Sequence, residues 1–155
     1  MDAATDPKAK YQWSWQKGAA TTLGDLGDPV GGDDYTLCVY DESGAPTLAT
    51  GAVIPGGGTC KGKPCWKALG TSGFAYKDSK RLRFGIAAIK LKAGPDGKAQ
   101  LQIKGQGATL PVPALPAPLP LRVQLTAENG TCWESVFATT GTTRNDGARY
   151  QGKSD

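Results

Sequence analysis

The chain has 155 residues, 39% of them apolar, with 22 Gly, 11 Pro and a formal net charge of +4. That length suits one domain with a core of its own, and so many breakers exclude an architecture of long helices. Histidine is absent, which removes Ser-His-Asp and Cys-His nucleophilic sites in their usual forms and the commonest ligand of catalytic zinc.

The opening residues Met1-Asp2-Ala3-Ala4-Thr5-Asp6-Pro7 are polar. They predict a disordered tail over residues 1–9, ahead of a single domain over 10–155. No export signal is legible in them, and a polar start directly after Met1 suits a chain whose export signal has been removed. No apolar run approaches the roughly 20 residues needed to span a bilayer.

Period-two alternation dominates from there on. In Tyr11-Gln12-Trp13-Ser14-Trp15-Gln16 three aromatics share one face and three polar residues the other. If that face is buried, Tyr11, Trp13 and Trp15 are core; if it is open, they form a platform for sugar rings. Asp25, Asp28, Asp33 and Asp34 follow, spaced by glycines. Turn-making accounts for them, and the rival reading is a calcium loop with Asp28 and Asp33 as the better ligands.

Tyr35 to Tyr40 alternates, Asp41-Glu42-Ser43-Gly44 turns the chain, and Thr47 to Ile54 returns as the second arm of a hairpin. Gly57-Gly58-Thr59-Cys60-Lys61-Gly62-Lys63 matches the start of a phosphate-binding loop. It then meets Pro64 where a magnesium-binding hydroxyl is required, so that reading is rejected. Cys65 to Leu69 and Phe74 to Lys77 are further strand candidates. Ile89 to Lys92, Gly94-Pro95-Asp96-Gly97 and Lys98 to Lys104 form a hairpin with strong turn chemistry. Gly105-Gln106-Gly107 lacks the third glycine of a dinucleotide fingerprint and reads as a bulge or turn.

Pro111, Pro113, Pro116, Pro118 and Pro120 interleave with Leu and Val. Proline cannot donate to a ladder, so the segment reads as a packed crossover, with a ligand for an SH3-like groove as the alternative. Leu121 to Leu125 and Cys132 to Phe137 pair across Glu128-Asn129-Gly130-Thr131. Asn129-Gly130-Thr131 fits a glycosylation sequon, but a tight hairpin favours a plain turn. Residues 140–155 read as a last short strand or a loose tail. The pattern predicts an all-β, two-sheet sandwich of jelly-roll or Ig-like kind with eight to ten short antiparallel strands.

Four cysteines stand at Cys38, Cys60, Cys65 and Cys132. Two disulfides, Cys60–Cys65 and Cys38–Cys132, are the favoured reading. A four-cysteine zinc site lacks paired-knuckle spacing, and free thiols remain open. Trp66 and Trp133 each follow a cysteine and are expected to stack on a disulfide in the core.

The segments Trp13 to Gly18, Gly27-Asp28-Pro29, Tyr35 to Asp41, Lys63 to Lys67 and Cys132-Trp133-Glu134 together resemble an uncharacterised domain of secreted proteins from environmental bacteria, myxobacteria-like ones among them. The resemblance covers residues 11 to 139 and implies export from a bacterial cell. More loosely, Tyr35 to Gly44 is similar to jelly-roll domains appended to secreted bacterial proteases.

Charge is segregated along the chain. Residues 61–104 carry eleven Lys or Arg and only Asp78 and Asp96, whereas residues 1–60 carry three Lys and eight carboxylates. If the stretches stay apart in space, a basic face could hold polyanions, or meet the acidic face of a second copy. The expected function is therefore a non-catalytic, extracellular binding or accessory module. Glycan binding or cell-surface adhesion leads, with a glycan or polyanionic cell-surface polymer as partner and no specific nucleic acid. The alternatives are a structural subunit that self-assembles head-to-tail, and last a secreted hydrolase using carboxylates.

Overall fold

A computed structural model describes residues 1–3 and 6–154. Its strands, in chain order, are β1 (Lys10–Gly18), β2 (Tyr35–Asp41), β3 (Thr47–Ile54), β4 (Thr59–Cys60), β5 (Lys63–Pro64), β6 (Trp66–Ala68), β7 (Gly73–Lys77), β8 (Ile86–Lys92), β9 (Ala99–Gln106), β10 (Leu121–Ala127), β11 (Cys132–Phe137), β12 (Thr142–Asn145) and β13 (Tyr150–Gly152). A short α-helix, α1 (Leu23–Leu26), is closed by a capping box in which Thr22 and Asp25 satisfy each other's backbone amides.

The protein is an all-β sandwich. A five-stranded sheet has the order β1-β9-β8-β7-β6, and a four-stranded sheet the order β11-β10-β2-β3. Together they hold nine strands, and the two-stranded sheets β4-β5 and β12-β13 bring the described total to thirteen, above the expected eight to ten. The pairs β2–β3, β8–β9 and β10–β11 are the antiparallel hairpins that turn chemistry marked out. Alternation supplies the packing. Leu37, Val39, Ile89, Leu91, Leu101, Ile103, Val123 and Leu125 all point inward and are buried, while their sequence neighbours face out.

The proline segment from 111 to 120 belongs to no strand, and Leu110 just before it and Ala117 within it are buried, so it is a packed crossover. The β12–β13 hairpin closes the end of the chain. Of the expected tail, residues 1–3 have partners. Met1 N–H donates to the Tyr150 carbonyl (2.8 Å), Ala3 N–H to that of Ala148 (2.9 Å), and Asp2 pairs with Arg149 at 2.6 Å. The opening residues therefore have partners that turn propensity cannot reveal, because those partners lie some 150 positions away. Ala4, Thr5 and the end residue Asp155 lie outside the described residues.

Candidate functional site

Tyr11 and Trp13 retain 1% and 4% of their surface. They pair in register with Gly105 and Ile103 on the inner side of the five-stranded sheet. The indole of Trp13 reaches Ser135 on β11, and burial pushes the Tyr11 phenol far above its usual range. Trp15 is half-buried and lies against Gly18, across the irregularity that ends β1. The aromatic strip is thus core, and the sugar platform expected there is withdrawn. A strand at the sheet edge still buries one face, and its sequence alone does not say which face that is.

Cys60 and Cys65 form a disulfide closing the small β4–β5 hairpin. Cys38 and Cys132 are free, which corrects the second expected bridge. Cys38 stands opposite Gln124 and Cys132 opposite Thr126, on the two sides of β10. Two strand spacings of about 4.8 Å separate them, more than the ~7 Å that a disulfide tolerates between Cα atoms. The Trp133 indole consequently meets no bridge and donates to Thr21 at 3.4 Å instead. Trp66 packs between the rings of Tyr35 and Tyr76, at 5.3 and 5.2 Å.

The aspartates of the loop before β2 are engaged by backbone amides. Asp28 Oδ1 accepts from Gly31, Asp33 Oδ2 from Asp28, and Asp34 Oδ1 from Gly56. This is turn-making chemistry, and no group of three or more metal-ligating side chains occurs among the described residues. Asn129 is similarly occupied: its amide donates to the carbonyls of Gly24 and Asp25, and its oxygen accepts from Thr131. The glycines at 57 and 58 lead into the disulfide hairpin and no helix follows them.

What the fold brings together is the basic stretch. β6, β7, β8 and β9 all come from residues 66–106 and lie side by side in one sheet. On the outer face of that sheet the register puts Lys67 and Lys90 on either side of Ala75, and Lys77 and Lys104 on either side of Ala88. Lys92 and Lys10 extend the field, and all of these ammonium groups are exposed. Gln12, Ser14, Gln16, Gln100, Gln102 and Gln106 fill the remaining outward positions of β1 and β9. Among the described residues no carboxylate stands on the outward side of these strands, and Asp2 marks the edge of the field, where its Oδ2 accepts from the Lys10 amide. Flanking lysines stand about 9.6 Å apart, at twice the strand spacing, with the small residues Ala75 and Ala88 between them.

A groove of about 730 Å³ borders this face along β1, between Gln12, Ser14 and Gln16 and the residues Arg149, Gln151 and Lys153, with Asp2 in its lining paired to Arg149. The sequence carried the basic signal only as a net charge along the chain; the meander converts it into a surface.

No helix among the described residues is long and apolar enough to cross a membrane. No protein-family model matches the chain, and no curated protein or solved structure is significantly similar to it.

Proposed function

We propose that the protein is a non-catalytic extracellular binding module that holds a polyanionic glycan or cell-surface polymer on the outer face of its five-stranded sheet. The observation that carries this reading is the group of Lys67, Lys77, Lys90, Lys92 and Lys104 on the outward side of strands β6 to β9, which hold no carboxylate. Like charges grouped on one face repel one another, Lys90 and Lys104 from diagonal cross-strand positions, so their grouping supports a role beyond folding. The glutamines and Ser14 supply the neutral hydrogen-bonding groups that sugar hydroxyls require. The Cys60–Cys65 bridge fits an oxidising compartment. The test is retention on heparin resin: wild type should elute at high salt, and a Lys67→Gln/Lys90→Gln/Lys104→Gln variant close to the void. Equal elution of the two proteins would defeat the reading.

A second reading, head-to-tail self-association, draws support from the acidic surface. Residues 18–60 contain no Lys or Arg, and Asp25, Asp28, Asp33 and Asp34 cluster beside Glu128, which accepts from the Asp34 amide. Light scattering at low and high salt separates the two readings. Self-association rises with protein concentration in the absence of ligand, whereas polyanion binding leaves a monomer.

A further inference from the structure

The connection between β7 and β8, residues 78–85, presents two large apolar side chains to solvent. Leu82 is 78% exposed and Phe84 45%. The intervening sequence is Lys80-Arg81-Leu82-Arg83-Phe84, and no carboxylate occurs from residue 79 to residue 95.

The loop is built from a buried base. Asp78 is 1% exposed, and its carboxylate accepts from the amides of Lys80 (3.1 Å) and Leu82 (2.9 Å). Arg83 Nη1 lies 3.5 and 3.4 Å from the sulfurs of Cys60 and Cys65, and Arg81 Nη1 donates to Gln106 on the basic face at 2.9 Å. Arg81 and Phe84 are both left-handed, at φ 54° and 51°, which non-glycine residues adopt only where their surroundings over-determine them. The apolar tips are therefore held outward by a fixed scaffold, with the exposed Lys80 and Arg81 just before them.

We infer that this loop docks the protein on a lipid surface bearing anionic headgroups. Leu82 and Phe84 enter the acyl boundary, and the exposed Lys80 and Arg81 meet the phosphates, while Arg83 stays against the Cys60–Cys65 bridge. Two side chains are too little apolar area for a stable protein interface, which buries about 800 Å² per partner. A lipid interface, by contrast, accepts apolar side chains singly and adds their contributions to those of nearby cations. A preformed loop also loses little freedom on docking. The inference goes beyond polyanion binding by the sheet and does not require it.

The test is co-sedimentation with vesicles of phosphatidylcholine alone and of phosphatidylcholine with phosphatidylglycerol, run beside heparin retention. Wild type should sediment with the anionic vesicles only. A Leu82→Ser/Phe84→Ser variant, its fold checked by circular dichroism, should bind them on the order of tenfold or more weakly and keep wild-type heparin retention. A Leu82→Trp variant should show a blue shift in emission on adding anionic vesicles. Vesicle binding undiminished in the double serine variant, or no vesicle binding by wild type, overturns the inference, as does a Leu82→Trp signal that responds to a protein partner and not to lipid. Loss of vesicle binding in the double serine variant supports the inference even if heparin retention fails for wild type, an outcome that defeats the sheet-face reading alone.

Discussion

The indole nitrogen of Trp13 donates to the Ser135 hydroxyl at 3.2 Å, tying β1, at the edge of the five-stranded sheet, to β11, at the edge of the four-stranded one. Both residues are buried. The bond closes one side of the sandwich and explains why the most aromatic stretch of the chain is structural.

Trp13→Ala should accordingly destabilise the fold by about 3–5 kcal/mol through lost burial and a cavity. Ser135→Ala leaves the indole N–H without its partner and should cost about 1–3 kcal/mol. Trp15→Ala should cost less than Trp13→Ala, because Trp15 is only half-buried. Denaturant unfolding measures all three. A Trp13→Ala protein with wild-type stability and lost glycan binding would restore the aromatic platform.

The native protein should titrate two thiols, with Cys60 and Cys65 linked in a non-reducing peptide map. Cys132 is exposed and should react before the half-buried Cys38. Burial, the largest influence on it, pushes the Cys132 thiol above its ordinary value, although a hydrogen bond with Thr126 draws it back in part. The thiolate is the nucleophile, so alkylation of Cys132 should keep accelerating as pH rises beyond the range where a free thiol levels off. A protein with no titratable thiol would mean that β10 does not separate the two cysteines.

Local chemistry was legible wherever it acts over a few residues. The Pro95-Asp96-Gly97 and Asn129-Gly130 turns fixed the β8–β9 and β10–β11 hairpins, alternation fixed their inward faces, and the short Lys61 to Pro64 spacing fixed the one disulfide. What stayed hidden depends on which sheet a strand joins. Cys38 and Cys132 looked paired because nothing in their own segments reveals that Gln124 and Thr126 run between them. The basic stretch, likewise, becomes a face only because β6 to β9 stay in one sheet. The role of Asp78 depends on burial beneath its own loop, which periodicity does not report.

Asp146 holds the C-terminal hairpin through hydrogen bonds from Arg144 Nε (2.7 Å) and from the Ala148 and Arg149 amides (2.9 Å each). The Arg144 side chain, then those amides, lower its carboxyl from 3.8 to about 2. A folded value below the unfolded one means that the stabilisation is complete above pH 3.8 and is lost as pH falls through about 2. The group is exposed, so the effect is modest. Between those limits the melting temperature of wild type should fall more steeply than that of Asp146→Ala; parallel curves would mean that the hairpin does not depend on this carboxylate.

The lysine face separates binding from stability. Lys90 and Lys104 lie on neighbouring strands among cations and have no carboxylate beside them on that face. Removing one such charge relieves repulsion, so Lys90→Gln and Lys104→Gln should leave stability unchanged or raise it by a few tenths of a kcal/mol. The same substitutions remove counterion-releasing contacts. Each should lower the slope of log affinity for heparin against log salt by roughly one unit. Added polyanion should raise the melting temperature of wild type more than that of either variant, because a ligand stabilises the state that binds it. Variants that lose stability would show that these lysines are paired within the fold, and an unchanged salt slope would remove them from the binding surface.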